Sequence, residues 1–198
     1  MTEATPTRAV ALELMDERRA MRDGYRFLDE KCLLLAGAIM AELARYQALA
    51  RALAAAHDAA SDALRAAVGR HGLEGLAVYP AAPQADARLD VERRSVMGVA
   101  VQDAAWRPAA TPAPPAVHPS PEAEACRRAY AAAIAAAAAA GATAGNLERL
   151  SLEYRRSVRR ARALQDVLLP ELDCTLAGIE TRLEELEQED AISMRRRG

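Results

Sequence analysis

The sequence predicts a mostly α-helical protein, a long antiparallel two-helix coiled coil with a small β-hairpin insert between the helices. Two segments rich in alanine, arginine, glutamate and leucine carry apolar residues at heptad spacing, as long supercoiled helices do. Between them prolines and glycines cluster and helical periodicity is lost. We expect residues 1–68 to form the first helix, 69–120 the connecting segment and 121–198 the second helix.

The first helix is predicted from an uninterrupted pattern. No proline occurs from residue 7 to 68, and only Gly24 and Gly37 interrupt the helix formers. A helix of roughly 60 residues would be about 90 Å long. Apolar residues recur every seven positions, with a second set at complementary positions, and only Arg18 and Glu42 break the pattern. The predicted seam residues of this helix are Leu14, Met21, Leu28, Leu35 and Ile39.

The second helix has a clear start signal. Ser120 is the predicted N-cap, Pro121 suits the first helical position, and Glu122 and Glu124 favour the first turn. Pro170 lies inside this helix, where it removes a backbone donor, so we expect a bend at residues 166–170. The predicted seam residues are Leu164, Leu168, Leu172, Leu176, Ile179, Leu183 and Leu186.

The two helices are expected to pack together, because neither can bury its apolar stripe alone. If the numbers of facing residues sum to about 195, Ala60 lies opposite the alanine run 131–140, while Leu28 and Leu35 face large residues of the second helix. Small residues then meet small ones, and large meet large. This pairing predicts that the two helix axes lie closer together in the alanine-lined half (the thin half) than in the leucine-lined half (the thicker half).

The connecting segment contains a predicted hairpin at about residues 89–101. Apolar and charged residues alternate there, and Met97 and Gly98 precede a second alternating run. Residues 107–121 are rich in proline and alanine and are expected to form an extended loop. A hairpin of this size has little stability of its own, so we expect it to serve partner docking.

No motif for reaction chemistry is found in the sequence. Lys31 is the only lysine and lacks the glycine-rich setting that cradles phosphates, so we expect no nucleotide hydrolysis by this chain. The three histidines and three cysteines are scattered and lack metal-ligand spacing. We therefore predict no catalytic residue, no cofactor and no metal.

Charge and cysteine usage bear on the cellular compartment and on the partners of the chain. The odd, widely spaced cysteines favour a reducing compartment, and no run of about 18 apolar residues or leader is recognised, so we expect a soluble protein. The net charge of −2 names no partner. An arginine cluster could contact phosphate or an acidic partner, but such clusters are usually a solvated face; its members are Arg155, Arg156, Arg159, Arg160 and Arg162.

Several segments, in order, match a known family pattern. The first is a Pro-Thr-Arg start, and the second is a hairpin segment at residues 91–101. The third is an arginine-rich block followed by Ala-Leu and Val-x-Leu-Pro, and it comprises Arg159, Arg160, Ala163, Leu164, Val167, Leu169 and Pro170. An acidic-to-basic end follows, with Glu187, Glu189, Asp190 and Arg195. Together they resemble the D subunit of the V-type and A-type rotary ATPases, over essentially the whole chain.

The resemblance implies a mechanical function: a non-catalytic central rotor shaft of a bacterial rotary ATPase, cytoplasmic and peripheral to the plasma membrane. It implies as partners the hexamer of catalytic A and B subunits, the F subunit, and the funnel-shaped subunit above the membrane ring. The residues expected at the hexamer are Pro6, Thr7, Arg8, Leu12, Glu189, Asp190, Met194 and Arg195. The residues expected to dock a partner at the hairpin are Val91, Val96, Met97, Gly98, Val99 and Val101.

Two other classes of protein remain as alternatives. A free-standing coiled-coil scaffold or a helical-arm nucleic-acid binder fits the helices, but a nucleic-acid binder needs a basic stripe along one helix, and none extends beyond residues 155–162. An enzyme with a helical lid lacks its catalytic constellation. We expect neither nucleic-acid binding nor direct insertion into a membrane.

Overall fold

The computed structural model describes residues 7–80 and 86–197, except the side chain of Arg197. Its elements are α1 (Arg8–Ala77), β1 (Arg88–Val96), β2 (Val99–Arg107), α2 (Pro121–Ala163), a π-helical turn (Leu164–Leu168) and α3 (Leu169–Arg197). The two long helical arms, α1 and the stretch from α2 to α3, pack together, and the strands form an antiparallel hairpin between them. The predicted fold class is confirmed.

Helix α1 runs further than the sequence predicted. It continues to Ala77 instead of ending near residue 68, and its regular geometry is interrupted at Gly72, with φ 71° and ψ 169°. That combination is accessible almost only to glycine. Gly69, where the predicted connecting segment begins, lies within the helix, because a glycine permits a break without requiring one.

The interruption at Gly72 is testable with a pair of substitutions. Gly72→Ala should lower the free energy of unfolding by about 1–3 kcal/mol, because alanine is strained at this φ and ψ. Gly69→Ala is the control: an added Cβ meets nothing within 4 Å, so the variant should be about 0.5–1 kcal/mol more stable. Urea unfolding measures both. Equal effects of the two substitutions would contradict the assigned break.

Contacts group the chain into two units. The first unit comprises residues 7–34 and 154–197 of the described chain, and the second comprises the described residues from 35 to 153. In the first unit, α1 and α3 are joined by an ion pair between Arg8 and Glu187, and Asp173 lies 3.2 Å from Arg18 and 3.8 Å from Arg22. The residue numbers of these pairs sum to 195, 191 and 195, which lies within about one helical turn of the predicted antiparallel register.

The π-helical turn lies directly before Pro170. A backbone hydrogen bond runs from the N–H of Leu169 to the carbonyl oxygen of Leu164, five residues earlier. Proline cannot donate to the carbonyl four residues before it, and its ring would clash there. The wider turn relieves that conflict, at the place where the sequence predicts a bend. Of the predicted seam residues in and after this turn, Leu172 and Leu176 are buried, whereas Leu168 and Leu186 are exposed.

The second unit has a core of small residues. Its buried alanines come from both α1 and α2, and they are Ala60, Ala67, Ala123, Ala140 and Ala142. Leu35 and Leu150 are its fully buried leucines among the described residues. Small side chains let two helices approach closely, as expected for the thin half of the pairing.

Helix α2 starts as predicted. The amide of Ala123 donates to Ser120 Oγ at 3.1 Å, so Ser120 is the N-cap, and Pro121 occupies the first helical position. Ser120 is buried, and its hydroxyl also lies 2.6 Å from His71 Nε2 of α1. The cap therefore ties the start of α2 to α1.

Both helical arms contain an 18-residue window that is long and apolar enough to cross a membrane, judged by length and composition alone. This differs from the expectation that no such window exists. Alanine-rich helices pass this test readily, and one or two such helices are weak evidence because core helices of soluble proteins also pass it.

Candidate partner-docking surfaces

Two features of the described side chains bear on possible chemistry, namely metal-binding groups and a cysteine thiol. Among them, no group of three or more His, Cys, Asp and Glu residues could hold a metal ion. Burial, followed by the charge of Asp29, raises the pKa of the Cys32 thiol. A raised pKa keeps this thiol protonated and weakly nucleophilic. The surfaces that could bind a partner therefore become the candidate sites.

The hairpin is bonded to helix α2 along the outer edge of β2. Asn146 Oδ1 accepts from the amide of Gln102 at 2.8 Å, and Asn146 Nδ2 donates to the carbonyl of Gln102 at 2.8 Å. Arg149 Nε donates to the carbonyl of Ala100 at 2.9 Å. An unpaired strand edge needs hydrogen-bond partners, and side chains of α2 supply them here.

Ion pairs attach the same hairpin to α1. Arg94 Nη2 donates to Glu42 Oε1 at 2.7 Å, and Arg45 pairs with Asp103. Glu42 is buried, so its charge would be costly without this arginine. Glu42, one of the two residues that break the predicted heptad seam, therefore anchors the hairpin. The sequence pattern did not show this role.

The two-residue turn of the hairpin explains its register. Met97 and Gly98 have φ of 49° and 82°, and Val96 pairs with Val99. Positive φ at both central residues is the signature of a type I′ turn, which suits the twist of a hairpin. Pairing continues outward to Arg88 and Arg107, so the hairpin is longer than the predicted 89–101.

The two faces of the hairpin differ in exposure. Val99 and Val101 are buried on the face that carries the Glu42 and Arg45 contacts, so within this chain they serve the core. On the opposite face, Leu89 is 50% exposed and Val91 is 38% exposed. Their cross-strand neighbours are Trp106 and Ala104. We call these four residues the hairpin outer face; of the predicted docking residues, only Val91 belongs to it.

The remaining predicted docking residues cluster at the turn, where Val96 and Met97 are half-buried and Gly98 is exposed. Leu89 begins the predicted hairpin but was not among the predicted docking residues, and Trp106 lies beyond the predicted hairpin. The alternation of residues 89–94 was visible in the sequence, but which face of a hairpin packs inward depends on contacts from residues over forty positions away, such as Asn146 to Gln102.

The predicted hexamer contacts lie in the first unit, near both chain ends. Arg8 and Glu187 join α1 and α3 there, and the hydrogen bond that Arg8 donates to Glu187, followed by the charge of that carboxylate, raises the pKa of Arg8. Leu12 and Met194 are exposed, as are Thr7, Glu189, Asp190 and Arg195. Pro6 lies outside the described residues. The structure therefore places exposed charged and apolar side chains on the helices at this end.

The fold and these surfaces define a class of protein: two packed helical arms with a bonded hairpin and exposed apolar and charged side chains, as a stalk or scaffold component of an assembly has. The family model for the D subunit of ATP synthase matches residues 11–196. The chain belongs to this family, the D subunits of the V-type and A-type rotary ATPases. A search of curated proteins gives no significant match.

Proposed function

We propose that this stalk protein is the central rotor shaft of a bacterial V/A-type ATPase. It carries torque between the hexamer of A and B subunits and the ion-translocating ring in the membrane, and it catalyses no reaction itself. The family match over residues 11–196 carries this proposal. Two packed helical arms support it, because a torque-bearing element must resist sliding of one helix past the other.

The proposed partners fall on separate surfaces. The exposed residues near the chain ends contact the hexamer. The hairpin outer face docks the F subunit, because its cross-strand apolar pairs leave apolar surface exposed. The funnel-shaped subunit couples the shaft to the membrane ring, so the chain is cytoplasmic and peripheral to the plasma membrane, without inserting directly.

Assembly with purified A, B and F subunits tests the proposal. We expect the chain to co-elute with an A/B hexamer and with the F subunit, and to show no ATP turnover above a mock preparation when alone, since it has no phosphate cradle. ATP turnover by the isolated chain would contradict its non-catalytic role. Failure to join the hexamer would leave the scaffold alternative as the better description.

The docking face on the hairpin has its own test. Val91→Glu places a charge in the centre of the hairpin outer face, and it should weaken binding of the F subunit by about tenfold or more, because a desolvated unpaired charge is costly. Glu92→Ala, on the opposite face of the same strand, is the matched control. Titration calorimetry with the F subunit measures both. If Val91→Glu bound the F subunit with wild-type affinity, the docking site would have to lie elsewhere on the chain.

A further inference from the structure

Five arginines project from two turns near the end of α2. All five are exposed, and none forms an ion pair or side-chain hydrogen bond with the part of the chain that the structure describes. We call this set the arginine collar, and it comprises Arg155, Arg156, Arg159, Arg160 and Arg162. The same two turns bury Ser157 and Ala161 on their other side. The collar therefore stands on a packed helix.

Several helical arginines outside the collar have an acidic partner in the same helix. Arg26, Arg65 and Arg127 each pair with an acidic residue three positions earlier. Within the collar, four pairs of arginines lie three or four residues apart, and like charges at this spacing destabilise a helix. The nearest acidic residues along the chain are Glu153 and Asp166, one on each side of the collar. Two acidic residues flank five arginines, so the collar keeps a net positive charge within its own helix.

We propose that the collar docks on a carboxylate-rich protein surface, the inner wall of the A/B hexamer. The identity of this partner rests on the proposed function; the chemistry rests on the collar itself. Guanidinium groups bind carboxylates with two parallel hydrogen bonds, and pairing would remove the repulsion that the free helix carries. The buried side of these turns holds the helix backbone that carries the arginines. Only the arginine side chains must then become ordered on binding, which lowers the entropic cost.

A protein surface suits the collar better than a nucleic acid. The eight residues from 155 to 162 rise about 12 Å along the helix. The following stretch, residues 166–190, contains nine acidic residues and one arginine. A nucleic acid carries phosphates continuously along its axis and would be repelled by that stretch, whereas a local acidic patch meets the collar alone.

The test compares the full chain with a triple variant, Arg155→Ala with Arg159→Ala and Arg162→Ala. Binding to the A/B hexamer is measured between about 50 and about 200 mM salt. We expect the triple variant to bind about tenfold more weakly, with a shallower salt dependence. The corresponding Arg→Lys triple should bind with an affinity between the wild type and the alanine variant and keep the wild-type salt dependence, because lysine keeps the charge but cannot form the two parallel hydrogen bonds.

The matched control removes three exposed arginines elsewhere, through Arg51→Ala, Arg65→Ala and Arg128→Ala, and should bind like the wild type. The isolated collar variant should melt at the same or a higher temperature, since repulsion is relieved and alanine favours helices. Weaker binding together with a lower melting temperature would indicate a structural role and overturn the proposal.

Three further outcomes decide the matter. Wild-type affinity and salt dependence of the collar variant would overturn the collar as a contact while leaving the rotor assignment intact. If the wild-type chain itself fails to bind the hexamer, the proposed function fails, and the partner with it. Binding of a short DNA duplex that is lost in the collar variant would replace the carboxylate partner by a phosphate one.

Discussion

Leu176→Ala is expected to lower the free energy of unfolding by about 2–5 kcal/mol, as buried leucine truncations do. Leu176 is 2% exposed and lies on α3 among the buried residues of the first unit. Its removal loses the transfer free energy of the side chain and leaves a cavity that two packed helices can fill only partly. Chemical denaturation monitored by helical circular dichroism measures the change.

The chain offers a control of identical chemistry. Leu186 lies on the same helix, belongs to the same predicted seam, and is 48% exposed. Leu186→Ala should therefore change stability by less than about 1 kcal/mol. If both variants lost the same free energy, the burial assigned to Leu176 and the exposure assigned to Leu186 would be wrong.

Asn146→Ala is expected to cost about 2–4 kcal/mol, because it leaves the amide and the carbonyl of Gln102 without their partners. Asn146 is fully buried, and Arg149 Nη2 also donates to its Oδ1 at 2.7 Å. The loss should free the outer edge of β2 while leaving the helical arms formed. Denaturation gives the stability change, and amide hydrogen exchange at Gln102 reports the edge itself.

Glu148→Ala is the matched control for Asn146→Ala, since Glu148 is exposed two residues further along α2. It should leave both stability and exchange at Gln102 unchanged. Unchanged exchange at Gln102 in Asn146→Ala would contradict the bonded edge.

The helices were predictable because their signals are local. The heptad repeat, the Ser120 cap and the proline at residue 170 act within one or two turns, and the structure shows the cap and a π-helical turn at those places. The end of α1 was missed because Gly69 and Gly72 look alike in sequence, whereas only Gly72 adopts a conformation that needs glycine.

The surroundings of the hairpin were not predictable from the sequence, since they depend on contacts between distant residues. Glu42 appeared as a fault in the seam, but Arg94, fifty-two positions away, pairs with it. The leucines after residue 164 were assigned to one seam, but Leu172 and Leu176 are buried whereas Leu168 and Leu186 are exposed. The docking role of each surface depends on partners whose sequences are not contained in this chain.

Rotation is the most direct measurement of the central claim. The A/B hexamer is fixed to a surface, and a probe is attached through Val117→Cys, an exposed loop position, in a Cys174→Ser background that removes the exposed native thiol. We predict stepwise rotation of the probe in one direction when ATP is added, stopping when ATP is withdrawn. A chain that stays bound and stationary while the hexamer hydrolyses ATP would contradict the rotor assignment.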